Sequence, residues 1–317
     1  MGGDVGRVQA VSPSPRQPDR LQLVLMSFSH AKPQTRWPAY RHIVFDCDAT
    51  LSAVEGIDSL AVDDDTRTEI AALTDAAMSG EASLDDVYAE RLSALQPSRD
   101  AVRNVRDTYR RTAVEGAAEV IATLRELGHE VYVVSGGLAE PVREFAVHLG
   151  VAPENVHAVE AIHDQLSGQW WGAGTGSGQQ YSGHVSSELT TDDGKAAVVG
   201  RLLSGRQGGS MMVGDGLTDL AARRVVDIFV GFGGVSSRPV VAEAADVYIA
   251  ADSLYAVLPL AAGTAGRAVL ERDGYTETFD VGCRQARAGL VKFNDSTNKQ
   301  RFFEAFGLLE EATDDHP

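Results

Sequence analysis

The sequence is poor in cysteine and lacks any long apolar run. Its two cysteines, Cys47 and Cys283, are too few for a disulfide framework and indicate a reducing, cytoplasmic compartment. No stretch approaches the ~18 consecutive apolar residues that a membrane helix needs. The apolar run at residues 21–26 is too short for the core of a signal peptide. We therefore expect a soluble protein of the cytoplasm with no membrane partner.

Positive charge is also scarce. The chain has 28 Lys and Arg residues against 45 Asp and Glu residues, which gives a formal net charge of −17. Nucleic-acid binding needs a basic face, so this composition argues against a nucleic-acid partner. Lysine is the rarer of the two basic residues, and Lys195 therefore stands out inside a motif. An anionic substrate would need a local cluster of positive charge.

Short runs of β-forming residues recur along the 317 residues and predict the strands of one sheet. Helical periodicity fills the segments between them, a pattern that predicts an α/β fold with a Rossmann-like parallel sheet and helices on both faces. Ligands bind such sheets beyond the carboxyl ends of the strands. The predicted strands are residues 41–46, 130–135, 210–215, 227–232 and 246–251.

Two insertions interrupt this core, which we assign to residues 37–56 and 112–262. Residues 57–111 carry helical patterns and predict an inserted helical cap. A smaller insertion at about residues 156–190 contains two tryptophans and a Gly-rich run, and predicts a small second β insertion.

The two ends of the chain lie outside the core. Residues 1–36 contain repeated Pro and Ser, and predict a flexible N-terminal extension. Residues 263–317 follow the end of the sheet pattern and predict a helical C-terminal appendage. Its apolar residues at helical spacing, which include Phe302 and Phe306, must be buried either on the core or across a homodimer.

The segment FDCDAT places two carboxylates, Asp46 and Asp48, at the end of the first predicted strand. Two acids two positions apart in an extended chain point to one face. A carboxylate nucleophile can form a covalent acyl-phosphate, and a partner acid can protonate the leaving oxygen and later activate water. This pair therefore indicates phosphoryl transfer.

Such a site also needs positive charge and anion-binding groups. Asp215 and Asp219 in GDGLTD can hold Mg²⁺, which prefers oxygen ligands. Lys195 supplies a point charge for phosphate. Ser135 and Gly136, at the end of the second predicted strand and the expected start of a helix, offer a hydroxyl and accessible backbone N–H groups. Each motif alone is also compatible with an ordinary turn, cap or solvated charge, but all four occur in order, each at the end of a β-like run.

These motifs resemble those of the haloacid dehalogenase superfamily of phosphatases, and more narrowly the phosphoserine phosphatases, from about residue 41 to 260. The matching segments are FDCDAT, VVSGG, GK and VGDGLTD. The resemblance implies that Asp46 is the nucleophile and Asp48 the general acid/base. It implies that Asp46, the backbone carbonyl of Asp48 and Asp215 bind Mg²⁺, with support from Asp219. It also implies a phosphate site formed by Ser135, Gly136, Lys195 and Thr218.

The resemblance further implies that Glu55 binds a substrate ammonium and that Arg91 in the cap binds a substrate carboxylate. Arg can bind a carboxylate with two parallel hydrogen bonds. We therefore expect a Mg²⁺-dependent phosphomonoesterase acting on O-phospho-L-serine. A phosphatase of the same superfamily with another small phosphomonoester as substrate is the alternative. A dehalogenase is disfavoured because it has no use for Asp48, and the intact acids argue against a non-enzymatic interaction module.

Overall fold

A seven-stranded sheet organises the residues that the structure describes. The structure is a computed structural model, and it describes residues 36–79, 81–164, 181–185 and 187–308. The strands of the sheet are β1 (His42–Phe45), β2 (Glu130–Leu138), β3 (Val156–Val159), β6 (Ser210–Gly214), β7 (Ile228–Phe232), β8 (Val247–Ile249) and β9 (Val291–Phe293). Their order across the sheet is β3-β2-β1-β6-β7-β8-β9.

The first six of these strands are parallel, as the alternation of strand and helix predicts. Strand β1 lies between β2 and β6, and all four of its residues are buried. Burial on both faces explains why β1 and β6 are apolar without the alternation of a half-exposed strand. The Rossmann-like α/β fold is confirmed.

Helices cover the sheet and fill the first insertion. Between β1 and β2 lie α1 (Asp64–Ser79), α2 (Leu84–Leu95) and α3 (Arg99–Arg111), followed by α4 (Ala117–Glu126). The remaining helices are α5 (Ala139–His148), α6 (Gly194–Leu203), α7 (Leu217–Ala221), α8 (Pro239–Ala244), α9 (Val257–Asp273), α10 (Glu277–Arg287) and α11 (Ser296–Phe306). Helices α1 to α3 occupy the place of the predicted cap. Among the described residues, no helix is long and apolar enough to cross a membrane.

Helix α3 attaches this helical insertion to the core. The Ser98 side chain caps the helix by accepting a hydrogen bond from the Ala101 N–H at 3.2 Å. Val102, Val105 and Tyr109 follow at intervals of three and four residues and are buried. This spacing gives α3 one apolar face, which packs against the core.

The second insertion contains a short antiparallel pair, β4 (Ala161–His163) and β5 (Tyr181–His184), separate from the main sheet. The pair contacts the helical insertion, because the Tyr181 N–H donates to the Pro97 carbonyl at 3.2 Å. The small β insertion is thus present, but it begins later than predicted, because residues 156–159 pair with β2 and belong to the main sheet. Trp170, Trp171 and the Gly-rich run between the two strands lie outside the described residues.

The C-terminal segment contains a strand as well as the predicted helices. Residues 291–293 form β9, which pairs antiparallel with β8 at the edge of the sheet. Within the helical appendage predicted over residues 263–317, α10 ends at Arg287, and Gly289 then adopts a positive φ of 80°. The edge of a sheet offers unpaired backbone N–H and C=O groups, and the three residues of β9 form hydrogen bonds with those of β8. A strand this short leaves no periodic signal in the sequence.

An aromatic cluster fixes this segment to the core. The Trp37 ring lies 5.2 Å from that of Phe302 and 5.9 Å from that of Phe293, both edge to face. The Trp37 indole N–H also donates to the Leu260 carbonyl at 2.8 Å. Gly263 allows this contact, because a Cβ there would lie 2.4 Å from the Pro38 carbonyl oxygen. The apolar face predicted for the appendage is therefore buried on the core.

We predict that Phe302→Ala lowers the free energy of unfolding by about 3–5 kcal/mol, the usual cost of removing a buried aromatic side chain. Tyr275→Ala is the matched control, since Tyr275 is 76% exposed and should cost little. Chemical denaturation of both variants tests this. Equal stability of Phe302→Ala and wild type would show that the cluster does not hold the C-terminal segment.

Candidate active site

The polar residues predicted to form the site meet at the carboxyl ends of three neighbouring strands. Asp46 follows β1, Ser135 lies near the end of β2, and Asp215 follows β6. Because β2 and β6 flank β1, these positions are adjacent. They border a pocket lined by Asp46, Asp48, Glu55, Ile57, Tyr88, Arg91, Gly136, Gly137, Lys195, Asp215 and Thr218.

Three buried carboxylates form a cluster at the base of the pocket. One oxygen each from Asp46, Asp215 and Asp219 lies within 4.8 Å of the others. The Lys195 Nζ lies 2.7 Å from Asp46 Oδ1 and 2.7 Å from Asp219 Oδ1. The Arg238 Nε lies 3.3 Å from Asp215 Oδ2. Each of the three acids therefore has a basic group beside it.

The charges in this cluster perturb one another. Burial, and then the charge of Asp219, raises the pKa of Asp46 well above its ordinary value, although Lys195 opposes the shift. The same two causes raise the pKa of Asp215 to about 7. Burial lowers the pKa of Lys195, but Asp219 and Asp46 outweigh burial and leave it above its usual value. The charged form of Lys195 is thus favoured beside carboxylates whose own charged forms are disfavoured.

A divalent cation fits this cluster. The donor set is all oxygen and mostly carboxylate, which suits a hard ion such as Mg²⁺. Burial, and then the charge of Asp219, disfavours the charged forms of Asp46 and Asp215, and a bound cation would stabilise those charged forms.

Asp48 stands apart from the acidic cluster. Its Oδ1 accepts hydrogen bonds from the Gly56 N–H and from the Tyr109 hydroxyl, both at 2.7 Å. Its Oδ2 lies 3.5 Å from the Ser135 Oγ. Burial raises the pKa of Asp48, while the bonds from Tyr109 and Gly56 oppose that shift. The Asp48 carboxyl is therefore held toward the pocket as a candidate proton donor, consistent with a metal contact through its backbone alone.

The residues predicted to bind phosphate lie at the same pocket. The Ser135 Oγ accepts from the Gly137 N–H at 2.9 Å. The Thr218 Oγ1 is buried and has no hydrogen-bond partner among the described residues, so it is a free donor at the pocket wall. Ser135 and Gly136 belong to β2, which continues to Leu138, rather than to the start of α5 as expected from the sequence.

Arg91 and Glu55 line the pocket with these groups. Arg91 is 3% exposed and donates through one terminal nitrogen to the Thr74 Oγ1 at 2.7 Å. Its Nε is buried with no hydrogen-bond partner among the described residues. Burial, and then the charge of Asp48, raises the pKa of Glu55 well above its ordinary value. A cation next to Glu55 and an anion next to Arg91 would compensate both groups.

The sequence interpretation missed several residues that line the pocket or contact its acids. Tyr88 lies three positions before Arg91 on α2, so helical spacing could have indicated it. Its hydroxyl is buried without a partner among the described residues, and its ring packs edge to face on His184 of β5 at 5.1 Å. Tyr109 and Arg238 lie far from the motifs in sequence, and no local pattern marks them.

Comparisons with known proteins agree with this geometry. The sequence matches the family model of the haloacid dehalogenase-like hydrolases over residues 43–224. That match covers more than half of the chain. The protein belongs to the haloacid dehalogenase-like hydrolases.

Within this family the chain is similar to phosphoserine phosphatases. It is 30% identical to the phosphoserine phosphatase of Drosophila melanogaster, in an alignment that covers 65% of this chain and 73% of the relative. It is 32% identical to the chloroplastic enzyme of Arabidopsis thaliana, covering 66% and 68%. A solved substrate-bound phosphoserine phosphatase complex matches the fold with a TM-score of 0.58 at 24% identity, over 70% of this chain and 98% of that one. This haloacid dehalogenase-like hydrolase is therefore a phosphatase similar to phosphoserine phosphatases.

The acidic cluster predicts how the stability of the metal-free hydrolase depends on pH. The folded-state pKa of Asp215 is raised from 3.8 to about 7, so the folded state binds more protons than the unfolded state between these values. Stability must then fall as pH rises through that window, by on the order of a few kcal/mol. Thermal unfolding without metal should show a falling Tm from about pH 4.5 to 7.5.

Asp215→Asn should flatten this dependence and remove most of the stabilisation that added Mg²⁺ gives the wild type. Asp64→Asn, at a side chain that is 96% exposed, is the matched control and should keep the wild-type slope. Parallel curves for Asp215→Asn and wild type would contradict the assignment of the slope to the cluster.

Proposed function

We propose that this phosphatase hydrolyses O-phospho-L-serine to serine and phosphate through an aspartyl-phosphate on Asp46. The observation that carries the proposal is a single pocket lined by two chemically different sets of residues. Asp46, Lys195 and Thr218 form one set, and Glu55 and Arg91 form the other. An amino acid phosphate carries the complementary set: a phosphate, an ammonium and a carboxylate.

In this mechanism an Asp46 oxygen attacks phosphorus while Asp48 protonates the serine oxygen that leaves. Asp48, now ionised, takes a proton from the water that hydrolyses the aspartyl-phosphate. Lys195 neutralises charge beside Asp46, since its Nζ lies 2.7 Å from Asp46 Oδ1. Burial of the pocket keeps these interactions strong, because little water screens them.

The phosphate oxygens would receive hydrogen bonds from Ser135, the Gly136 N–H, Lys195 and Thr218. Mg²⁺ would be held by Asp46, Asp215 and the backbone carbonyl of Asp48, with Asp219 in support, and would neutralise negative charge on the phosphate. The Thr218 hydroxyl is buried and has no partner within the described part of the chain, which supports its assignment as a hydrogen-bond donor to phosphate.

Arg91 and Glu55 would recognise the serine part of the substrate. The Arg91 Nε is free to donate to a carboxylate, while Thr74 holds another nitrogen of the same guanidinium in place. Asp58 Oδ1 lies only 3.9 Å from Arg91 and partly satisfies its charge. That contact favours the second candidate, a phosphatase of the same family acting on another small phosphomonoester, because Arg91 then needs no substrate carboxylate.

A substrate panel tests the proposal. With Mg²⁺, the wild type should hydrolyse phosphoserine faster than phosphothreonine or glycerol phosphate, and EDTA should abolish turnover until Mg²⁺ is restored. Preference for a phosphomonoester without amino and carboxylate groups would establish the second candidate. Turnover that survives complete metal removal would exclude the Mg²⁺ assignment.

We predict that Asp46→Asn abolishes turnover while the protein stays folded, because the amide is too weak a nucleophile to form the covalent intermediate. Rapid quenching with ³²P-labelled substrate should label the wild type and leave the variant unlabelled. Asp252→Asn is a control at an exposed acid away from the pocket and should label normally. Labelling of Asp46→Asn would show that another residue is the nucleophile.

We predict that Arg91→Ala lowers kcat/KM for phosphoserine by roughly ten- to a hundredfold, the value of one hydrogen bond to a charged group. The rate with glycerol phosphate, which lacks the carboxylate, should change much less. Arg67→Ala, at an exposed Arg of α1, is the matched control and should leave both rates intact. Equal losses on both substrates would mean that Arg91 acts on the phosphate or on the packing of the cap.

A further inference from the structure

The Asp48 carboxyl is held by two donors that converge on one of its oxygens. The Gly56 N–H and the Tyr109 hydroxyl each lie 2.7 Å from Asp48 Oδ1. Tyr109 comes from α3 of the helical insertion, 61 residues away in the chain. The oxygen Oδ2 faces the Ser135 side of the pocket instead.

Tyr109 is fixed in this position from two sides. Its ring is fully buried and stacks on Phe145 of α5, with ring centroids 5.4 Å apart and 27° between the planes. Its hydroxyl packs so closely on Gly56 that a Cβ at that residue would lie 2.0 Å from the phenol oxygen. A residue larger than glycine at position 56 would therefore displace the hydroxyl.

Two short donors point at Oδ1, and a proton on that oxygen would require the Tyr109 hydroxyl to give up its bond and turn its hydrogen away. This arrangement favours Oδ2 as the oxygen that carries the proton when Asp48 is protonated. We propose that Tyr109 is a positioning residue that, with Gly56, orients Asp48 so that Oδ2 delivers its proton to the leaving oxygen. As the bond from phosphorus to Asp46 forms, the bond from phosphorus to the leaving oxygen breaks, and that oxygen takes the Oδ2 proton.

This inference rests on the proposed function, in which Asp48 is the general acid. It also predicts that the effect of Tyr109 on the rate depends on the leaving group of the substrate. Protonation matters for an alkoxide such as that of serine, which is a poor leaving group, and matters little for p-nitrophenolate. The constant kcat/KM reports the steps up to formation of the phosphoenzyme, so it isolates the step in which the leaving oxygen is protonated.

The test compares kcat/KM for phosphoserine and for p-nitrophenyl phosphate in Tyr109→Phe and wild type. Tyr109→Phe keeps the ring and removes only the hydroxyl. We expect phosphoserine turnover to fall roughly ten- to a hundredfold, while turnover of the aryl phosphate falls less than about threefold. Asp48→Asn should show the same selectivity with a larger loss.

Tyr132→Phe is the matched control. Tyr132 is also buried, and its hydroxyl donates to a carboxylate, Glu130, at 2.6 Å, but it lies among the opposite ends of the strands. Loss of the Tyr132 hydroxyl should leave the ratio of kcat/KM for phosphoserine to kcat/KM for p-nitrophenyl phosphate unchanged. Gly56→Ala provides a second route to the same defect, because the added methyl displaces the Tyr109 hydroxyl, and it should reproduce the selective loss.

A ratio that stays at the wild-type value in both Tyr109→Phe and Gly56→Ala would overturn the proposal. Equal losses on the two substrates would also overturn it, since that result indicates a merely structural role. A wild type inactive on phosphoserine would refute the proposed substrate instead. In that case kcat/KM for glycerol phosphate, also an alkyl ester, is compared with kcat/KM for p-nitrophenyl phosphate. The same two outcomes would then overturn the role of Tyr109.

Discussion

The buried contact of Lys195 with Asp46 and Asp219 is the interaction on which the site depends. Its ammonium lies 2.7 Å from an oxygen of each carboxylate, and all three side chains are almost fully buried. Removing one member of such a group leaves an uncompensated buried charge, which typically costs about 3–5 kcal/mol. With all groups ionised, the three acids outnumber the two basic groups beside them, Lys195 and Arg238, so the formal charge at the base of the pocket is negative. That formal charge is an electrostatic reason why the cluster suits a divalent cation.

The parallel sheet makes this concentration of charge possible. Strands β1, β2 and β6 run side by side in the same direction, so the residues after them meet at one edge. Motifs separated by more than 80 residues in the chain therefore become neighbours, as in Ser135 and Asp48. The energetic cost of the charged site is offset elsewhere, by a continuous apolar core under the sheet and by the aromatic cluster around Trp37 and Phe302.

The helical insertion gives the pocket its chemical character beyond phosphate binding. It contributes Arg91 and Tyr88 from α2, and Tyr109 from α3 reaches the Asp48 carboxyl. The β4–β5 pair in turn supports Tyr88 through His184. In the proposed function, substrate recognition and the orientation of the acid depend on packing between the insertions and the core. A change in either insertion would then alter the substrate without altering the acids at the strand ends.

The α/β class and the acids at the strand ends could be predicted without a structure. Both follow from local patterns: β-rich runs, helical periodicity between them, and polar residues directly after each run. Tertiary structure alone decided which side chains hold those acids in place. Tyr109 contacts Asp48 across 61 residues, Arg238 contacts Asp215 from a loop after β7, and β9 joins the sheet through only three residues. Such contacts leave no periodic trace in the sequence, because they arise from the packing of distant elements and from the backbone groups that a sheet edge offers.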